Sequence, residues 1–141
     1  MNNKYVNVQL DDGAFMPVRE HATDAGMDLF TPIDFKVPAH GFAFVDTGVH
    51  IQIPHNTRGH VCSKSGLNRK FGITADGTVD EGYTGAIGVT VHNNGDHDHT
   101  FHRGDKIAQI VINEVRYDMP RLVAEIAGGD RGDDGFGSTG R

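Results

Sequence analysis

The chain predicts an all-β fold of short strands joined by tight turns with one short helix, and three observations carry that expectation. Nineteen glycines stand against five prolines and no tryptophan in 141 residues, a balance that favours many turns over long helices. The apolar runs between those glycines are short, and several alternate with polar residues as half-buried strands do. Only one stretch, after Ser63-Lys64-Ser65-Gly66 and closed by Gly72, reads as helix. The length is that of a single domain with room for a proper core.

Taken in order, Val6, Val8 and Leu10 alternate with polar residues and end at Asp11-Asp12-Gly13, a strand and a turn. In Ala25-Gly26-Met27-Asp28-Leu29-Phe30 an acid sits between Met27 and Leu29 and needs a partner. It is either a structural acid, capped or salt-bridged, or an acid near a metal or a basic pocket. Phe42–Val45 and Val49–Ile53 are further strands, each bounded by Gly or Pro. A strand from Gly59 then runs into Ser63-Lys64-Ser65-Gly66 and the helix, an arrangement suited to an anion through free N–H groups, hydroxyl and ammonium. The P-loop spacing is absent, and Ser65 alone reads equally as a helix N-cap.

Gly77-Thr78-Val79-Asp80-Glu81-Gly82-Tyr83-Thr84-Gly85 organises the rest. It places one carboxylate and one ring between glycines at the mouth of a hairpin, a surface turn or a small-molecule holder. The following strand, Ala86 to Asn93, carries Gly88, where a ligand can approach bare backbone. From Asn93 to His102 the histidines sit among Asn, Gly and Asp as a solvated turn, since neither HExxH spacing nor a cysteine partner supports zinc. Gly104-Asp105 turns into a strand whose one face carries Ile107, Gln109 and Val111. Gln109 is there a core bridge or the lining of a polar pocket. The terminus, Gly128 to Arg141, holds little with which to build a core and reads as a flexible tail or as a lid with Arg131, Phe136 and a Ser-Thr pair as contacts.

A formal charge of −6 argues against a general binder of nucleic acid. Lone Cys62 allows no internal disulfide and is a weak candidate nucleophile. The start, Met1 to Tyr5, lacks the apolar core of a signal peptide, and no apolar run reaches membrane-spanning length. The expectation is a soluble, cytoplasmic protein.

Five separated segments in one order then resemble the five motifs of the trimeric dUTPases: Ala25-Gly26-Met27-Asp28-Leu29, Lys64-Ser65-Gly66-Leu67, Gly77 to Asp80 with Tyr83 and Gly85, Gly104 to Gln109, and Arg131-Gly132 with Phe136 to Gly140. The resemblance implies a distorted jelly-roll β-barrel over residues 1–127 and a flexible Gly-rich arm over 128–141. It also implies a homotrimer with sites at subunit interfaces, Mg²⁺ on the triphosphate rather than on protein ligands, and hydrolysis of dUTP to dUMP and pyrophosphate. By the same resemblance Asp80 is the base for water, Tyr83 packs on deoxyribose, and Gly77, Thr78, Val79, Asp80 and Gly88 read uracil. Lys64, Ser65, Gly66 and Gln109 take the phosphates, and Asp28 supports that region. Arg131, Phe136, Gly137, Ser138 and Thr139 close over a neighbour's site. Three positions depart from the family pattern: Lys64 for arginine, Thr74 for a uracil-reading asparagine, and Asp134 for an arm glycine. Two other readings follow from the same fold. A dCTP deaminase would carry its catalytic glutamate where Thr90 stands, and a non-catalytic regulatory trimer would use the nucleotide only as a ligand.

Overall fold

A computed structural model of the chain describes residues 4–135 and Gly137. Among the described residues ten strands and one helix follow in the order β1 (Val8–Leu10), β2 (Gly26–Phe30), β3 (Phe35–Val37), β4 (Phe42–Asp46), β5 (Val49–Ile51), β6 (Thr57–Cys62), α1 (Ser65–Phe71), β7 (Ile73–Val79), β8 (Gly88–Asn93), β9 (His99–Phe101) and β10 (Lys106–Glu114). Six strands form one sheet in the order β2-β10-β6-β7-β8-β4, and two ribbons, β1-β5 and β3-β9, complete the body. Every ladder is antiparallel. The all-β class with one short helix is therefore as the sequence predicts.

Alternation sets the layers. Along β7, Ile73, Ala75 and Val79 point into the core while Thr74, Asp76 and Thr78 point outward. Val61 of β6, Val89 and Val91 of β8 and Ile110 of β10 fill the same core and are fully buried; each such side chain contributes about 1.5–3 kcal/mol. Phe101 of β9 stacks on Phe35 of β3, with ring centroids 4.9 Å apart.

Three local expectations are corrected. Ser65 is not the helix cap: Lys64 takes the N-cap position with extended backbone, and no side chain caps the helix. The seven-residue helix instead leans on Leu67, which packs against the core, and ends at Gly72, whose φ of 67° only glycine adopts freely. In β10 the register shifts between Lys106 and Ala108, a bulge that buries both Ile107 and Ala108, so Ile107 does not share a face with Gln109. Within the stretch read as solvated turn, His99–Phe101 pairs with β3 as β9. At Gly88 the ring of Phe44, the diagonal partner one strand over, lies where a side chain would be.

Candidate active site

Two groups of polar residues lie at opposite ends of the β6–β7 ladder. At one end Asp80 directly follows β7, and its carbonyl accepts the Tyr83 N–H at 3.1 Å across a turn that Gly82 closes at φ 90°. Asp80 is exposed and lines a cleft of about 400 Å³ with Arg58, Thr78, Glu81 and Tyr117. Arg58 donates to the Thr78 hydroxyl at 3.3 Å. Tyr83 folds back over Gly85, where any added Cβ would meet its ring, and donates its hydroxyl to the Ala86 carbonyl at 2.8 Å.

Sequence reasoning missed what holds this turn. Glu81 accepts from the Asn56 N–H at 2.6 Å, from Tyr117 Oη at 2.9 Å and from His55 Nδ1 at 3.1 Å. His55, then the Asn56 amide and Tyr117, hold its carboxyl below the usual range, and Tyr117 is raised in turn by the same carboxylate. The only visible signal was a second acid beside Asp80; its partners come from the β5–β6 connection and the segment after β10.

At the other end stands the partner that Asp28 required. Its side chain is only 4% exposed, with Oδ1 2.5 Å from Lys64 Nζ and Oδ2 3.1 Å from Lys106 Nζ. A buried carboxylate with both oxygens paired meets the cost of burial through its partners. Asp28 foremost, and Glu20 after it, raise the Lys106 ammonium. Gln109 is the Cα partner of both Asp28 and Cys62 and donates Nε2–H to the Ser63 carbonyl at 2.9 Å, fixing the residue before Lys64. Gly26 makes room for it, since a Cβ there would come within 3.0 Å of Gln109 Cδ. Ser65 and Gly66 lie exposed at the start of α1. Burial pushes the Cys62 thiol up, which disfavours the thiolate.

Not every expected residue joins these groups. Thr74 accepts from Asn94 Nδ2 at 3.2 Å and lies on the same strand face as Asp80 but six residues away, about 20 Å. Lys64 and Asp80 are separated similarly: Val79 pairs with Gly59, whereas Lys64 lies two residues beyond Cys62, roughly 20 Å from Asp80 along the ladder. Gly77 backs onto Val61, and Val79 is buried, so only their backbones face outward. Arg131 is exposed, its carbonyl accepting the Asp134 N–H at 2.9 Å, and Gly137 is exposed at φ 89°. Phe136, Ser138 and Thr139 lie outside the described residues.

The architecture belongs to a known class. The dUTPase of Staphylococcus bacteriophage 80alpha with dUPNHPP superposes at a TM-score of 0.92 and 27% identity, covering 99% of this chain and 100% of that one. A mutant dUTPase from phage phi11 of S. aureus, described with a structural Mg(II) ion, superposes at 0.79 and 27% identity over 86% of this chain and 98% of that one. The fold is thus that of the dUTPases. The family model dUTPase matches residues 12–140. Deoxyuridine 5'-triphosphate nucleotidohydrolases from Clostridium acetobutylicum and Gloeothece citriformis are 38% and 40% identical, each over 94% of this chain and 93% of the relative. The chain belongs to the dUTPase family.

Proposed function

We propose that the protein hydrolyses dUTP to dUMP and pyrophosphate in the cytoplasm, withholding dUTP from DNA synthesis and supplying dUMP for dTMP. The observation that carries this reading is the family match over residues 12–140, which spans both the Asp80 turn and the Asp28–Lys64–Gln109 group. Asp80 orients one water toward the α-phosphorus. The water oxygen forms the new P–O bond, its proton passes to the carboxylate, and the bond to the bridging oxygen breaks with pyrophosphate as the leaving group. Tyr83, already bound to its own turn, packs on the deoxyribose, and the outward backbone of Gly77 to Asp80 reads uracil.

Lys64, Ser65, Gly66 and Gln109 take the triphosphate. Lys106 has a consequence here: when Lys64 turns to a phosphate, Asp28 stays paired. Both Asp28 oxygens engage lysine ammonium groups, whose charge disfavours direct coordination of a divalent ion there. These side chains fit Mg²⁺ held by triphosphate oxygens and water, with Asp28 in support, and when bound the ion neutralises phosphate charge.

The separation of Asp80 from Lys64 means that one copy does not unite base and phosphate grip. A homotrimer that joins the hairpin of one copy to the grip of another resolves this, with Arg131, Phe136, Ser138 and Thr139 of the arm closing over a neighbouring site.

The test is pyrophosphate release from dUTP, dCTP, dTTP and UTP, with and without Mg²⁺, for the native chain and Asp80→Asn. Selective turnover of dUTP is expected, and Asp80→Asn should lower it by about 10²–10⁴-fold with binding of a non-hydrolysable analogue kept. Ammonia from dCTP, or equal turnover by Asp80→Asn, would overturn the reading.

A further inference from the structure

His50 occupies the middle of β5 with its side chain 23% exposed, and both ring nitrogens face acceptors. Nδ1 lies 2.7 Å from the Thr84 carbonyl, and Nε2 lies 2.9 Å from Asp11 Oδ1. A carbonyl accepts and cannot donate, and an ionised carboxylate likewise, so the ring satisfies both partners only as the doubly protonated imidazolium. The Thr84 carbonyl first, and Asp11 after it, raise the ring above its ordinary value.

What the ring holds is the loop between Asp80 and β8. The far end of that loop is fixed at Ile87, whose N–H donates to the Val49 carbonyl at 2.8 Å and whose carbonyl accepts the Thr47 hydroxyl at 2.7 Å. Thr84, next to Tyr83, is tied to the body by His50. Asp11 is itself anchored, its N–H donating to the Gly48 carbonyl at 2.9 Å.

We propose that His50 is a positioning residue that donates from both ring nitrogens, ties the Thr84 carbonyl to Asp11, and thereby fixes the loop that presents Tyr83 to the sugar of the substrate. The role rests on the reading of Tyr83 given above. The charged groups facing the ring are Asp11, from the turn after β1, and Asp46, at the end of β4. Its other neighbours on β1 and β5 and their flanks, Asn7, Gln9 and Gln52, are uncharged. As pH rises through the His50 titration the ring keeps one N–H and donates to only one of its two partners, so the tie between the Thr84 carbonyl and Asp11 is broken and the loop is held less firmly.

Amide-exchange protection of Tyr83 and Ile87, whose N–H groups donate to the Asp80 and Val49 carbonyls, and the KM for dUTP, measured against pH in the native protein, His50→Ala and Asp11→Asn, test this, with the ring titration followed by NMR. In the native protein, protection should fall and KM rise roughly tenfold through the ring's titration, the scale of one lost charge-assisted hydrogen bond, with kcat changing less. His50→Ala should show the released values at every pH, and Asp11→Asn should move the transition to lower pH. Protection of the loop that is the same in His50→Ala as in the native protein, or a transition that Asp11→Asn leaves in place, would overturn the proposal. A native protein without dUTP turnover would sink the functional reading instead, and loop protection would still decide the clamp.

Discussion

Single residues here act through partners that lie far off in the chain. Asp28 showed in the sequence as an acid in need of a partner, but not that it takes two, because Lys64 and Lys106 reach it through folding alone. Glu81 was not legible as a hub for the same reason, since His55, Asn56 and Tyr117 are brought to it by the β5–β6 connection and the chain after β10. Its carboxyl lies lower in the folded chain than its ordinary 4.5. The unfolded chain therefore takes up the proton first as pH falls, so the contribution of Glu81 is complete above that ordinary value and is lost as pH falls through the lowered folded one. Melting temperatures of Glu81→Gln and the native protein across this acid range should converge toward the acid end and differ most at neutral pH. A difference that stays constant with pH would remove the carboxylate charge from this role.

At the scale of elements, alternation and Gly or Pro bounds made β1, β2, β4, β5, β6, β8 and β10 legible, while β7 and the breaks in alternation were not. The bulge at Ile107 leaves the apolar pattern intact and changes only which way one side chain points, so periodicity has no mark for it. Strand β9 was hidden because His99 and Thr100 look like turn residues until Phe101 is seen stacked on Phe35. The stop at Gly72 was legible, and it can be tested. At φ 67° a side chain is strained, and a Cβ would lie 3.3 Å from the Gly95 amide nitrogen. Gly72→Ala should cost about 1 kcal/mol or more, read from denaturant midpoints at unchanged slope. An unchanged midpoint would show that α1 ends there for another reason.

For the whole molecule, the residues of the five motifs could be named from the sequence, and the placing of Asp80 and Lys64 at two ends of a ladder could not. Linear order carries no statement of which end of a strand a turn occupies until register is known, and it is the pairing of Val79 with Gly59 and of Asp76 with Cys62 that sets Asp80 and Lys64 apart. If sites form between copies, two silent variants can repair one another. Co-refolded Asp80→Asn and Lys64→Ala chains should recover a measurable share of native dUTP turnover, whereas either variant alone should not; no recovery in mixed assemblies of confirmed composition would place both residues in one copy's site. The separation also bears on inheritance. In the proposed ring, a chain damaged only at its Asp80 end disables one site, whereas a chain damaged at both ends disables two while leaving its own fold intact. How strongly a defective allele dominates a healthy one would then depend on how far apart its lesions lie along the β6–β7 ladder, not on how many there are.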